Sequence, residues 1–249
     1  MASTYLVTGS SRGIGLAIVT ALASKPATEV SKVFASARSE TDSLKQLIAK
    51  SGGRVEFVAL DVTSQESAKS AASKVTESLG GNGLDVLINN AGVGDKWNKT
   101  EDMTELENVF KINVLGVQNT TSAFLPLLKK GNEKKIIVIS TPLGSINSAP
   151  AWKWAQVPAY KISKAAANML TVQYALDLED EGFTVVPLSP GYVKTDMGGE
   201  MGDLTPEESA KAVLDIVSRI TRADNGKFYN VHVPGWEHEK KYQGENLPW

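Results

Sequence analysis

Short apolar runs alternate with longer amphipathic stretches along the whole chain. Seven runs read as strands: one ending at Leu6-Val7 just before Gly9, then Val33-Phe34-Ala35, 55–60, 84–88, 136–139, 184–188 and 228–233. Between them, apolar positions recur at helical spacing near 13–24, 41–50, 64–79, 101–129, 159–180 and 205–221. The strand runs are nearly continuous in hydrophobicity rather than alternating, as strands covered on both faces must be. Strand and helix in strict succession predict βαβ units. Right-handed crossovers then place helices on both faces of one open sheet. The expected class is therefore α/β, a doubly wound parallel sheet of about seven strands. No internal repeat, low-complexity segment or linker interrupts the pattern, so residues 1–249 are read as a single domain. Two segments are read as substrate-facing elaborations of that sheet. One is 142–158, which carries Trp152 and Trp154. The other is the glycine-rich 196–204.

Composition narrows the function classes. Lys plus Arg number 26 and Asp plus Glu 28, a net charge of -2, so no basic surface for nucleic acid is expected. There is no cysteine, which excludes disulfides, zinc-thiolate sites and cysteine nucleophiles. The chain starts without a basic stretch followed by a long apolar run. No apolar run approaches the roughly 20 residues that a membrane span needs. A cytoplasmic protein is expected, with no membrane partner. The two histidines, His232 and His238, lack metal-ligand spacing with any partner, and no metal is expected. The Ala165-Ala166-Ala167 run suits close packing on the sheet or on a second copy. A homo-oligomer is compatible with it, since dimers are common.

The first strand runs into Thr8-Gly9-Ser10-Ser11-Arg12-Gly13-Ile14-Gly15, followed at once by a helical pattern. Glycines at this junction let the backbone turn tightly and approach a pyrophosphate, while the helix N-terminus offers N–H donors and positive potential. A plain strand-to-helix turn also uses flexible residues, so the spacing GxxxGxG counts mainly through its place at the first junction. The second strand ends Ser36-Ala37-Arg38 without the acid that would hold a ribose 2′-hydroxyl. Arg38, with Arg12 in the glycine loop, can instead pair with a 2′-phosphate, which favours NADP(H) over NAD. Asp61-Val62 follows the third strand and Asn89-Asn90-Ala91-Gly92 the fourth, both at carboxyl ends where an open sheet binds ligands. Asp61 can accept a hydrogen bond from an adenine amino group, although Asp and Asn are also ordinary turn residues.

Of the six tyrosines, only Tyr160 has a lysine four residues on, Lys164, which places both on one helix face. A phenol titrates near pH 10, too high for efficient proton transfer at neutrality. A neighbouring ammonium and an oxidised nicotinamide are expected to lower it. Alone, such a pair is a common surface feature.

The order of these motifs carries more than any one of them. The glycine loop, Asn-Asn-Ala-Gly, a Ser/Thr cluster after the fifth strand and Tyr-x-x-x-Lys on the next helix together resemble the short-chain dehydrogenase/reductase family, from Tyr5 to about Val233. The resemblance implies a Rossmann-like fold and a set of roles. Tyr160 would be the general acid or base. Lys164 would hold the ribose and lower the phenol pKa, and Asn113 would anchor a water in the proton relay. Gly9, Ser11, Gly13, Ile14, Gly15, Asp61, Val62, Asn90, Ala91, Gly92, Pro190, Gly191, Val193 and Thr195 would contact the cofactor. The family usually has a serine three residues before a glycine after the fifth strand. Counting back from Gly144, that position is Thr141, with Ser140 and Ser145 as alternatives. The long 141–160 segment is similar to carbonyl reductases and fungal ketoreductases of the norsolorinic acid type, which implies an aromatic or polyketide-like substrate. The leading expectation is an NADPH-dependent carbonyl reductase acting on a ketone or aldehyde. An NAD-linked alcohol dehydrogenase and a non-catalytic NADP-binding regulator are the competing ones.

Overall fold

The structure, a computed structural model, describes residues 2–236, 239 and 241–249; His238 lies outside the described residues. Seven strands form one parallel sheet in the order β3-β2-β1-β4-β5-β6-β7. They are β1 (Ser3–Thr8), β2 (Val30–Ala37), β3 (Val55–Ala59), β4 (Val86–Asn89), β5 (Lys135–Ile139), β6 (Thr184–Ser189) and β7 (Tyr229–Asn230). The chain starts at the centre, builds outward to β3, then crosses to β4 and builds the other way. The order therefore reverses between β1 and β4, and a crevice opens beyond their carboxyl ends.

Successive residues of a strand face opposite sides, so each strand feeds two cores. Val7, Ile88, Ile137 and Val186 face one side. There they pack with Ile18 and Leu22 of α1 (Gly13–Ser24), Leu44 of α2 (Asp42–Lys50) and Val213 and Val217 of α7 (Pro206–Arg219). Their neighbours Leu6, Leu87, Ile136 and Val185 face the other side. These pack with Val75 of α3 (Gln65–Leu79), Phe124 and Leu128 of α5 (Gly116–Leu128) and Ala175 of α6 (Pro158–Asp177). This is the doubly wound sheet the hydrophobic pattern predicts.

Two elements differ from expectation. The pattern read as one helix over 101–129 is three pieces: a short 3-10 turn at Thr100–Asp102, α4 (Leu106–Phe110) and α5, with a π-helical turn, Lys111–Leu115, joining α4 to α5. A π turn inserts one residue into the hydrogen-bond ladder of a single turn, a change too local for the hydrophobic pattern of the whole segment to resolve. Such turns recur at functional sites, and this one carries buried Asn113. The run 228–233 is strand beside β6 only over Tyr229 and Asn230, with one further bond from the Val231 N–H to the Ser189 carbonyl at 3.2 Å. The rest of this edge meets segment 242–247, which returns antiparallel with bridges Tyr229 to Asn246 and His232 to Gln243. That return covers what would otherwise be an open edge. Among the described residues no helix is long and apolar enough to cross a membrane.

Candidate active site

The glycine loop is built by constraint from both sides. Gly9 and Gly13 have φ of +68° and +54°, a region other residues avoid. A Cβ on Gly15 would lie 2.3 Å from the Gly9 carbonyl oxygen, so helix α1 rests directly on the turn. The loop is also tied to its neighbours. The Ser10 N–H donates to the Ser36 carbonyl at 2.9 Å, and the Thr41 hydroxyl donates to the Ser11 carbonyl at 3.0 Å. Thr8 Oγ1 accepts the N–H groups of both Asn90 and Ala91 at 2.9 Å. The Asn90 amide donates in turn to the carbonyls of Thr8 at 2.8 Å and Gly9 at 3.3 Å. Helix α1 has no side-chain cap and no acid in its first turn. Its leading N–H groups therefore face the crevice with their positive potential uncompensated. A phosphate fits such a cradle.

The charged groups expected nearby lie at the ends of the neighbouring strands. Arg38 is exposed and makes no ion pair among the described residues. Asp61 sits below the usual carboxylate range because Thr63 donates both its hydroxyl, at 2.8 Å, and its N–H, at 2.9 Å, to Oδ1, and the Arg38 charge adds to the effect. Arg12 pairs with Asp196 at 3.0 Å across the crevice, a fully solvated contact. Such an exposed pair contributes little, so it leaves the guanidinium available to a better anion. Val62 packs on Gly116, where a Cβ would come within 2.8 Å of Val62 Cγ2.

The segment after β6 closes over this trough. Pro190 and Val193 are buried, and the Pro190 carbonyl accepts the Ser209 hydroxyl at 2.8 Å. Gly191, with φ of +84°, lies against Leu204 and Tyr242, where any Cβ would collide. Thr195 approaches Gly13 and Met197 approaches Gly94, each within 3.3 Å of where a Cβ would stand. Segment 196–204 thus spans from the glycine loop to the loop after β4. Segment 142–158 brings half-buried Trp152 and exposed Trp154 to the same rim, their rings 5.9 Å apart. A third ring, Trp97 from the loop after β4, stands 6.2 Å from Trp154. Nothing in its sequence neighbourhood marks Trp97 for that place.

The helix α6 supplies the proton-handling pair. Pro158 occupies its first turn, and the N–H of Ala159 is capped by the Asp95 carboxylate at 2.9 Å. The next residue, Tyr160, is partly exposed, and its hydroxyl has no hydrogen-bond partner among the described residues. Lys164 is buried, donates to the Ile139 carbonyl at 2.8 Å, and lies 5.7 Å from the centre of the Tyr160 ring. Asn113 is buried beside them. Its Oδ1 accepts the Val93 N–H at 2.9 Å, and its amide donates to the Val93 carbonyl at 2.9 Å and to Ser163 at 3.0 Å. Both amide protons are thereby engaged, and Asn113 binds the loop after β4 to α6. Ser163, three residues beyond Tyr160, was not singled out in the sequence.

Without cofactor, burial sets the electrostatics of the pair. Burial pushes the Tyr160 phenol up to about 12 and pulls the Lys164 amine down to about 8. Burial dominates the phenol in the unliganded chain, and the Lys164 amine is directed at the Ile139 carbonyl. Lys164 makes stability pH-dependent in a definite sense. Its folded value of about 8 lies below the ordinary 10.5, so a buried ammonium costs stability below pH 8. As pH rises through 8, the folded chain releases this proton before the unfolded chain does, and stability increases. Urea unfolding at about pH 7 and about pH 9.5 is expected to show wild type gaining on the order of 1–2 kcal/mol relative to Lys164→Met. A difference that stays constant with pH would mean that the amine is not desolvated.

Three hydroxyls follow β5, and their partners together with their burial distinguish them. Ser140 is buried and donates to Asn168 Oδ1 at 2.6 Å. Ser145 is buried and accepts the Ser148 N–H at 3.0 Å. Thr141 is half-exposed, and its oxygen accepts the Leu143 N–H at 3.3 Å, which leaves its own proton free to donate. His232 is exposed and belongs to the edge pairing with the returning segment, and no metal-binding cluster occurs among the described residues.

Known proteins are similar to this chain in sequence and fold. The family model described as short chain dehydrogenase matches residues 3–205. The crystal structure of an NADPH-bound carbonyl reductase from chicken fatty liver superposes with a TM-score of 0.88 at 34% identity, covering 100% of this chain and 99% of that one. An uncharacterized oxidoreductase of Schizosaccharomyces pombe is 36% identical over 248 residues, 91% of this chain and 94% of the relative. The short-chain dehydrogenase/reductase atnB of an Arthrinium species is 36% identical over 92% of this chain and 97% of its own.

Proposed function

The chain belongs to the short-chain dehydrogenase family, and from that premise we propose that it is an NADPH-dependent carbonyl reductase in which Tyr160 protonates the substrate oxygen. The observation that carries this reading is the Tyr160 hydroxyl, unpartnered among the described residues and beside buried Lys164, with the turn that carries Thr141 packed on the same helix. NADPH supplies a hydride to the carbonyl carbon when bound. The uncapped N-terminus of α1, with Gly9, Ser11, Gly13, Ile14 and Gly15, would hold the pyrophosphate. Arg38 and Arg12 would hold the 2′-phosphate, and Asp61 and Val62 the adenine. Asn90, Ala91 and Gly92 would line the middle, with Pro190, Gly191, Val193 and Thr195 at the nicotinamide end. A Cβ on Gly92 would crowd Asn113 Oδ1 at 3.1 Å, which supports a close backbone approach there.

As the carbonyl carbon gains hydride, negative charge develops on the oxygen. Thr141 donates a hydrogen bond to it, and Tyr160 transfers its phenolic proton to give the alcohol. Lys164 stabilises the resulting phenolate, and the enclosure that raises the phenol also strengthens that attraction. Exposed Trp97 and Trp154, at 66% and 59%, support an aromatic or polyketide-like substrate held between 142–158 and 196–204. Ile162, Met169 and Leu176, exposed at spacings of seven on the outer face of α6, support a homo-oligomer.

The test is a panel of aromatic and aliphatic ketones and aldehydes with NADPH and with NADH. NADPH-linked turnover is expected, and tight NADPH binding without turnover of any carbonyl would favour a regulator instead. With a carbonyl so identified, Thr141→Ala is expected to lower kcat about 100-fold, the scale of losing one oxyanion donor. Thr141→Ser should stay within about tenfold of wild type, since it keeps the hydroxyl. A Thr141→Ala enzyme with full activity would remove Thr141 from the mechanism.

A further inference from the structure

Asn168 lies four residues beyond Lys164 and eight beyond Tyr160, so all three share one face of α6. Its side chain is buried at 3% exposure, and both ends of the amide are engaged. Oδ1 accepts the Ser140 hydroxyl at 2.6 Å, and Nδ2 donates to the Gly144 carbonyl at 3.3 Å. These partners bracket Thr141 in the chain. The same turn touches the helix at two further points. The Lys164 amine donates to the Ile139 carbonyl at 2.8 Å. Gly144 lies so close that a Cβ would stand 2.9 Å from the Lys164 carbonyl carbon. The turn is therefore clamped onto α6 before and after Thr141. Thr141 itself bonds only within the turn, its carbonyl accepting the Gly144 N–H at 2.9 Å and its hydroxyl the Leu143 N–H. The aim of its hydroxyl is set by where the clamp holds the backbone.

That dependence is stronger for threonine than for serine. Two heavy atoms on Cβ restrict χ1, so a threonine hydroxyl has few ways to correct a displaced backbone. Asn168 also removes a competitor, because the Ser140 proton is already donated. We propose that Asn168 is a positioning residue for the reduction: it engages Ser140 and fixes the 140–144 turn so that Thr141 rather than Ser140 presents its hydroxyl to the substrate oxygen. This rests on the reading of Thr141 as the donor.

The experiment uses a carbonyl that the wild-type protein reduces. Asn168→Ala, and Asn168→Leu to preserve side-chain volume, are each combined with Thr141→Ser. NADPH binding by fluorescence and the melting temperature serve as controls for folding. Each single Asn168 variant is expected to lose roughly 10- to 100-fold in kcat, the scale of a small misplacement of a reacting group, with the NADPH dissociation constant within about threefold of wild type. Adding Thr141→Ser is expected to recover about tenfold, because a serine can re-aim its hydroxyl where a threonine cannot. A general weakening of the fold would not be rescued by that change. Wild-type kcat in either Asn168 variant, or a loss that Thr141→Ser fails to rescue, overturns the inference while leaving carbonyl reduction intact. A wild-type protein that reduces no carbonyl overturns the reading of the site, and the inference with it.

Discussion

Tyr160→Phe is expected to lower kcat by about 10²–10⁴-fold, the contribution of a positioned general acid, and to leave the NADPH dissociation constant within about twofold. The substitution deletes one oxygen that bonds to nothing in the described chain and keeps the ring beside Lys164. Packing around the helix should therefore be undisturbed, and the loss should fall on the chemical step rather than on binding. The high phenol pKa of the unliganded site strengthens the expectation: at neutral pH the residue is fully protonated and available as an acid. Stopped-flow single turnovers with saturating NADPH would read the step directly. Activity within a few-fold of wild type would remove Tyr160 from the mechanism and shift attention to a water held in the same place.

The second large effect concerns cofactor choice. Arg38→Ala is expected to reduce kcat/KM for NADPH by about 10- to 100-fold, the worth of a charge-assisted contact to phosphate, while kcat/KM for NADH changes by less than about threefold. Arg38 is exposed, carries no ion pair among the described residues and follows a strand that ends without an acid. Arg12→Ala should act in the same direction more weakly, since the neighbouring Asp196 carboxylate offsets part of its charge at the crevice. An equal loss with both dinucleotides would mean that Arg38 supports the loop rather than the 2′-phosphate.

Much of the fold is legible in the sequence because parallel strands buried on both sides announce themselves as continuous apolar runs, and the intervening helices keep their period. The two departures have causes that periodicity cannot carry. The π turn at Lys111–Leu115 adds one residue within a single turn, too local a change for a periodicity read over the whole segment. The end of β7 is decided by the returning segment 242–247, a non-local pairing. The candidate site divides the same way. Tyr160 and Lys164 are readable from a spacing of four, and the glycine loop from its place after β1. The hydroxyl after β5 is not readable. Ser140, Thr141 and Ser145 are chemically alike in the sequence; Ser140 donates to Asn168, whereas Thr141 and Ser145 both accept backbone N–H groups and differ in that Thr141 is half-exposed and Ser145 buried. Asn168 extends the same helix face by one more step of four, a signal present in the sequence but meaningless until Ser140 is seen against it. Trp97 joins Trp154 only through tertiary packing, as the bond from the Asn98 N–H to the Gln156 carbonyl shows.

The most direct test of the central claim is label transfer. NADPH carrying deuterium at both positions of the nicotinamide C4 would be incubated with the protein and a carbonyl it turns over, and the product examined by mass spectrometry and NMR. The account predicts an alcohol with one deuterium on the former carbonyl carbon, formed by wild type and suppressed in Tyr160→Phe. An alcohol without that label, or NADPH bound tightly while every carbonyl is left unchanged, would contradict it.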